Sequence, residues 1–303
     1  MPLSPTQVLA AAGGVAPYRR VVRLTGRHAL RRAVASGAVV RLGRNRYGLP
    51  GLDEQLAAAH GARGCLSHLS AAVHHGWGVL HQPDRLHLTL PRGHKHGDLP
   101  GTRWFATTLD EAELAAGVTS PLRTVLDCAR TLPLPAALAV ADSALRAGHV
   151  RREELCALAD VTRTTGAVAA RRVVRLADGR AANPFESALR AVVLGTGLRG
   201  FIPQLVVTGP GLLAVVDLGD PDRRVALEAD GYGVHGTRRA FARDLARHDE
   251  LQAAGWLTRR FAFEHVLRRP AWVAEQVLGA VAQRVVPAPR RHRRRVGGVR
   301  DAA

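Results

Sequence analysis

The chain has almost no lysine: Lys95 is the only one in 303 residues, so arginine carries nearly all the positive charge. It has three cysteines, Cys65, Cys128 and Cys156, odd in number and far apart. That excludes a disulfide framework and any zinc-ligand spacing, and it fits a reducing cytoplasm, where we expect the protein to reside. No apolar run approaches the roughly 20 residues of a membrane-spanning helix, and the N-terminus lacks the basic-then-apolar order of a secretion signal. No membrane partner is expected. What is present is a hydrophobic fraction of 47%, that of a globular protein, and a formal net charge of +18. Arginine alongside Ala, Gly and Val can follow from a GC-rich genome. The surplus over Asp and Glu points instead to polyanions, DNA first. The length suits two or three compact domains.

The most informative stretch is Leu212 to Gly231, LLAVVDLGDPDRRVALEADG. It reads as an apolar strand, a Gly-Asp-Pro-Asp turn and a second strand ending in carboxylates. An unpaired carboxylate buried in such a run costs several kcal/mol or changes its protonation state. Three are nevertheless present: Asp217, Glu228 and Asp230. Side chains alternate along a strand, so Glu228 and Asp230 share a face. With a two-residue turn at Pro221 and Asp222, Asp217 falls across from Ala226 and diagonal to Glu228. All three carboxylates then share one face and suit a hard cation bound through oxygen. A solvated strand end before Gly231 is the alternative.

The flanking segments favour the cation site. Asn183-Pro184-Phe185-Glu186 is a helix start, with Asn183 as N-cap and Pro184 at the first helical position. Ile202 to Thr208 reads as a strand. After the hairpin, Phe241, Leu245, His248 and Leu251 mark an amphipathic helix closed by Gly255, and Trp256 to Phe263 reads as a last strand. The order helix, three strands, helix, strand resembles the restriction-endonuclease-like (PD-(D/E)XK) fold. More closely, it is similar to the uncharacterised proteins related to very-short-patch-repair endonucleases. The residues that carry the resemblance are Asn183-Pro184-Phe185-Glu186-Ser187, Val216-Asp217, Leu227-Glu228-Ala229-Asp230-Gly231, His235, and Phe241-Ala242-Arg243-Asp244 through Arg247, Leu251, Gly255 and Trp256.

The resemblance implies that Asp217 and Glu228 hold Mg²⁺ or Mn²⁺ with Glu186 assisting. Asp230 would position water or a second ion, and His235 would act as general acid or base. Most nucleases of the fold carry lysine where Asp230 stands, and with Lys95 far away none can be recruited. Arg243 and Arg247 are the candidates to supply the missing charge. His248 is a second departure, since those relatives usually carry an aspartate there.

Residues 1–50 have the pattern of a winged helix-turn-helix. Pro5 to Ala12 and Ala16 to Arg23 read as two helices. A third, Gly26 to Ser36, is capped by Thr25 and turns Leu30, Val34 and Ala33 inward. Arg27, His28, Arg31 and Arg32 lie on its outer side, and Arg44 sits at the tip of a two-stranded wing. A solvated basic helix is the plainer alternative. This segment resembles the N-terminal domain of AbiEi-type antitoxins. The resemblance continues through residues 51–118, an α+β region with strands at Arg85–Pro91 and Thr102–Ala106, and into the capped helix start Ser120–Asp127. The histidines from His68 to His96 repeat no metal-ligand spacing, and solvated or strand-face positions are expected for them.

The expected architecture is therefore a multidomain α/β chain: a winged helix-turn-helix (1–50), an antitoxin-like region (51–118), a helical connector (119–180), a restriction-endonuclease-like αβββαβ domain (181–286) and a basic tail (287–303). The expected function is metal-dependent hydrolysis of DNA phosphodiesters. The alternative is an antitoxin-type regulator, with a cognate toxin as partner, whose nuclease-like domain only binds.

Overall fold

A computed structural model describes residues 3–209, 212–230 and 238–284. The basic tail, Gly231 and His235 lie outside these residues, as does the Phe241 side chain. The chain divides into two compact units, residues 1–192 and 193–303, both mixing helices with sheet. Among the described residues no helix is long and apolar enough to cross a membrane. The three cysteines are free, with Cys65 and Cys128 buried.

The first unit begins with α1 (Pro5–Ala10), β1 (Val15–Pro17), α2 (Tyr18–Thr25), α3 (Arg27–Ala35), β2 (Val40–Gly43) and β3 (Arg46–Gly48). Strands β1 and β2 flank β3 in an antiparallel sheet. Val8, Leu9, Ala16, Val21, Leu30 and Val39 form its core. Three expectations are corrected here. Thr25 does not cap α3; it ends α2, its hydroxyl donating to the Val21 carbonyl at 2.9 Å, and Gly26 takes the turn at φ +84°. Val34 is not internal but 38% exposed, because Leu30 and Ala33, one turn apart, make the inward stripe. Ala16 and Pro17, expected to begin the second helix, fall in β1 instead, which adds a third strand.

Next come α4 (Glu54–Ala62), β4 (Cys65–Leu66), α5 (His68–His74), β5 (Leu86–Pro91), β6 (Thr102–Thr107) and α6 (Glu111–Ala116). β5 lies centrally, antiparallel to β4 and parallel to β6. Leu88 packs with Ala59, Leu66 and Ala71 on one face. His87 and Thr89 are buried on the other. His68, expected to be solvated or on a strand, is instead buried at the start of α5 and stacked on Phe105 at 3.6 Å between ring centres. Strand β2 lies backbone to backbone against α4: a Cβ on Gly43 would meet the Gly61 carbonyl oxygen at 2.5 Å.

Helices α7 (Pro121–Thr131), α8 (Leu134–Arg146), α9 (Arg152–Val161), α10 (Ala167–Leu176) and α11 (Pro184–Gly195) complete the unit, with α11 running through the division at residue 192. Arg190 of α11 reaches Asp142 of α8 at 2.7 Å, with both side chains buried, and also donates to the Leu176 carbonyl. Asp142 accepts a further bond from the Asp178 backbone N–H at 2.6 Å. Removing one member of a buried pair strands the other's charge, so Asp142→Ala is expected to cost about 3–5 kcal/mol. Thermal unfolding of the variant measures this; an unchanged midpoint would contradict it.

The second unit contains β7 (Ile202–Gly209), β8 (Leu212–Asp220), β9 (Val225–Asp230), α12 (Arg238–Ala253), β10 (Leu257–Ala262), α13 (Phe263–Arg268) and α14 (Pro270–Ala282). The sheet order is β10-β9-β8-β7, with β10 parallel to β9 and the other pairs antiparallel. Leu251 of α12 packs with Val216, Ala226 and Leu212, and Gly255 ends the helix at φ +82°. Leu245, expected on the buried stripe of α12, is 48% exposed; Leu251 and half-buried His248 carry that stripe instead.

Candidate functional site: a carboxylate pair flanked by two arginines

The turn between β8 and β9 spans four residues, 221–224, rather than two. Asp220 organises it by accepting from the backbone N–H groups of Asp222 and Arg223, both at 3.1 Å. Leu218 therefore pairs with Leu227 and Gly219 with Ala226. The paired register ends there; continued by one step it would set Asp217 against Glu228 instead of diagonal to it. Two extra residues leave the parity unchanged, which keeps both carboxylates on one face.

The ladder between β8 and β9 stops at Leu218, and the Asp217 side chain takes over as acceptor. Its Oδ2 receives the Ala229 N–H at 2.8 Å, and its Oδ1 lies 3.3 Å from the Gln204 amide nitrogen. Gln204 holds a backbone φ of +50°, a conformation that costs a non-glycine residue of order 1–3 kcal/mol. Asp217 and Glu228 are hydrogen-bonded to each other, which requires a shared proton. Burial, then the neighbouring Asp217 charge, pushes the Glu228 carboxyl up to about 8. Burial also raises Asp217, against the Ala229 N–H. Glu228 is 6% exposed, and its Oε1 is a buried atom with no hydrogen-bond partner among the described residues.

Two guanidinium groups adjoin the pair. Arg247 of α12 places Nη1 3.4 Å from Glu228 Oε1 and 2.8 Å from the Val215 carbonyl oxygen, and its Nη2 pairs with Asp244 at 3.2 Å. Arg260 of β10 lies in register with Glu228. It grips Asp230 through Nε at 2.8 Å and Nη2 at 2.9 Å, and also meets Asp244 at 2.8 Å. Those carboxylates, Asp230 foremost, raise the guanidinium's already high pKa. His248 shares a hydrogen bond of 2.7 Å with Thr258. Glu228, Asp244, Arg247, His248 and Arg260 border one small cavity.

The structure thus joins Asp217, Glu228 and Arg247 and gives Asp230 to Arg260. Glu186 lies in the first unit, where it completes the cap of α11, accepting from Ala182 N and Asn183 Nδ2, both at 2.7 Å. Among the described residues no group of three His, Cys, Asp or Glu side chains forms a cation cage. Arg243 is exposed on α12. At the N-terminal end, Arg27, His28, Arg31 and Arg32 are exposed on α3, and Arg44 is exposed between β2 and β3. Arg260 is the residue that sequence reasoning missed. Its trace was its alternation with Leu257, Arg259 and Phe261, which puts it on the Thr258 face.

Protonation of the pair has a consequence for the metal-free protein. Glu228 titrates higher folded than its ordinary 4.5, so its contribution to stability is present below pH 4.5 and lost as pH rises through about 8. Between these limits wild type should lose thermal stability relative to Glu228→Gln, which cannot ionise. A constant difference between the two midpoints across this window would contradict the shared proton.

No family model matches the chain. Two curated relatives, the uncharacterised proteins MT2308 and Rv2248 from two strains of Mycobacterium tuberculosis, are each 34% identical to it over 163 residues. The match covers 52% of this chain and 59% of theirs, so the chain spans less than two thirds of their length. A solved structure, the RV2827C protein from Mycobacterium tuberculosis, aligns over 67% of this chain and 87% of its own at 17% identity, with a TM-score of 0.30.

Proposed function

We propose that the chain is a DNA-binding protein whose second unit is a metal-dependent, restriction-endonuclease-like nuclease. The observation that carries this reading is the Asp217–Glu228 pair, in which Glu228 is buried and its Oε1 has no hydrogen-bond partner among the described residues. Two adjoining carboxyl groups, beside a buried oxygen that lacks a hydrogen-bond partner, fit a hard cation and are costly otherwise. The order α11, β7, β8, β9, α12, β10 supports the same reading.

Asp217 and Glu228 would hold Mg²⁺ or Mn²⁺; when bound, the ion supplies Lewis acidity towards a phosphate oxygen and a water of lowered pKa. Asp217 is oriented by the Ala229 N–H and by Gln204. Arg247 and Arg260 offer the positive charge that lysine gives elsewhere in this fold. Asp230 positions Arg260 rather than a metal. The exposed basic face of α3 and Arg44 support a winged helix that docks on DNA, in keeping with the net charge of +18 and with a cytoplasmic protein.

A second reading draws on the ion pairs of Arg247 and Arg260. These neutralise the carboxylates without a metal, as in an antitoxin-type regulator whose nuclease-like unit only binds. Incubation with supercoiled and linear DNA in Mg²⁺, Mn²⁺ or EDTA separates the two. The nuclease reading expects cleavage in metal and none in EDTA. Intact DNA under every metal would leave the regulator, with a cognate toxin as its partner.

A further inference from the structure

The first unit contains a polar cleft of about 450 Å³ that neither the carboxylate pair nor the basic helix uses. Its floor is the face of β5 and β6 that carries Thr89 and Phe105, paired in register. The two strands run parallel, and the cleft reaches their C-terminal ends, at Thr107 of β6 and at Arg92 just past β5. Crevices at the carboxyl ends of parallel strands are where open α/β sheets take ligands. His68 of α5, Arg130 of α7 and Arg163 after α9 complete the lining.

Three features of this cleft call for an occupant. Thr89 is 1% exposed, and its hydroxyl has no partner among the described residues. On the same strand face, the Nδ1 of buried His87 is likewise unpaired. A native fold rarely leaves such groups unsatisfied. Second, His68 is held at φ +49°, a strained conformation that tends to mark ligand clamps. Third, the lining is cationic: Arg92, Arg130 and Arg163 face one carboxylate, Asp127, which is tied to Arg130 at 3.2 Å. The guanidiniums are braced by backbone carbonyls, Arg130 by Thr165 at 2.8 Å and Arg163 by Asp160 and Thr162. Five N–H groups on each leave donors to spare.

We propose that this cleft binds a small organic phosphate monoester, with its phosphate between Arg130, Arg163 and the Thr89 hydroxyl. Arginine forks match phosphate geometry bidentately, and a hydroxyl donor completes the set. The volume falls within the roughly 300–1,000 Å³ typical of small-molecule sites, which leaves room for an organic group beyond the anion.

The test is calorimetric titration of the full chain with adenosine 5′-monophosphate, ribose 5-phosphate and inorganic phosphate, with adenosine and ribose as controls. The two monoesters should bind one per chain and compete with inorganic phosphate, while adenosine and ribose should not bind. A chain of net charge +18 attracts anions generally, so the deciding variant is uncharged. Thr89→Val removes the hydroxyl and keeps the strand-forming shape; it should weaken monoester binding about tenfold, and Thr89→Ser should restore it. Arg163→Gln, on an exposed loop, should weaken binding at least as much and provides the test if Thr89→Val fails to fold. Arg172→Ala, exposed on α10 and outside the cleft, should leave monoester binding unchanged. Absence of saturable one-to-one binding overturns the proposal, and so does binding unaltered by Thr89→Val or Arg163→Gln, since it would mark an adventitious ion only.

Discussion

Glu228→Gln and Asp217→Asn should each reduce metal-dependent DNA cleavage about 1000-fold, equivalent to about 4 kcal/mol of barrier. Each change keeps the shape of the side chain and removes a charged oxygen that the cation needs. DNA binding in EDTA should persist or tighten, because a negative charge near phosphate is gone. Asp230→Lys is the sharper comparison. It restores the residue usual in the fold, but in this structure Asp230 is the carboxylate that grips Arg260 with two bonds. A lysine there would face a guanidinium across the β9–β10 pairing, and activity should fall with it. Gain of activity in Asp230→Lys would show that Arg260 does not stand in for the lysine. Single-turnover rates on one plasmid, with binding measured separately in EDTA, distinguish these results.

The double change Arg27→Ala with Arg31→Ala should weaken DNA binding and flatten its salt dependence. Both arginines are exposed on α3 and border the same surface cleft as Arg41 and Tyr47. Each phosphate left without its arginine should lower the log–log slope of affinity against salt by about 0.9, so the pair should lower it by roughly 2. At moderate salt the affinity should drop between about 10- and 100-fold, since each arginine on a phosphate displaces condensed counterions. The measurement is anisotropy of a labelled duplex between low and moderate salt. An unchanged slope would mean that these arginines face solvent in the complex, and would leave α3 as part of a protein-binding surface.

Much of the stretch from Asn183 to Ala262 was legible because local signals agree there. Asn183, Pro184 and Glu186 specify the start of α11, and both Asn183 Oδ1 bonds, to the N–H groups of Phe185 and Glu186, are present. Alternation together with an even-numbered turn puts Asp217 and Glu228 on one face, and a register error of two residues preserves the side. The turn length itself was not legible: Asp220 reads as a strand-end polar residue until its two backbone bonds are seen to build a four-residue loop. The partner of Asp230 was hidden for another reason. Arg260 is 30 residues away, and only the parallel pairing of β10 with β9 brings the two together.

In the first unit, helical periodicity identified α3 but put Val34 on the wrong side, since Leu30 fits a stripe with either Ala33 or Val34. The polar face of β5 was visible as alternation, yet sequence alone could not show that His87 and Thr89 are buried on that face. A strand buried on both sides ordinarily reads as continuously apolar. Where it does not, the exception marks the cleft.

Titration with Mn²⁺ tests the Asp217–Glu228 pair as a cation site most directly, without reference to catalysis. At pH near 8, where Glu228 can give up its proton, electron paramagnetic resonance of free Mn²⁺ should show one saturable site per wild-type chain. Glu228→Gln and Asp217→Asn should each lose that site while keeping the fold. Wild-type protein that leaves Mn²⁺ free, or binding that survives both substitutions, would contradict a cation site at this pair.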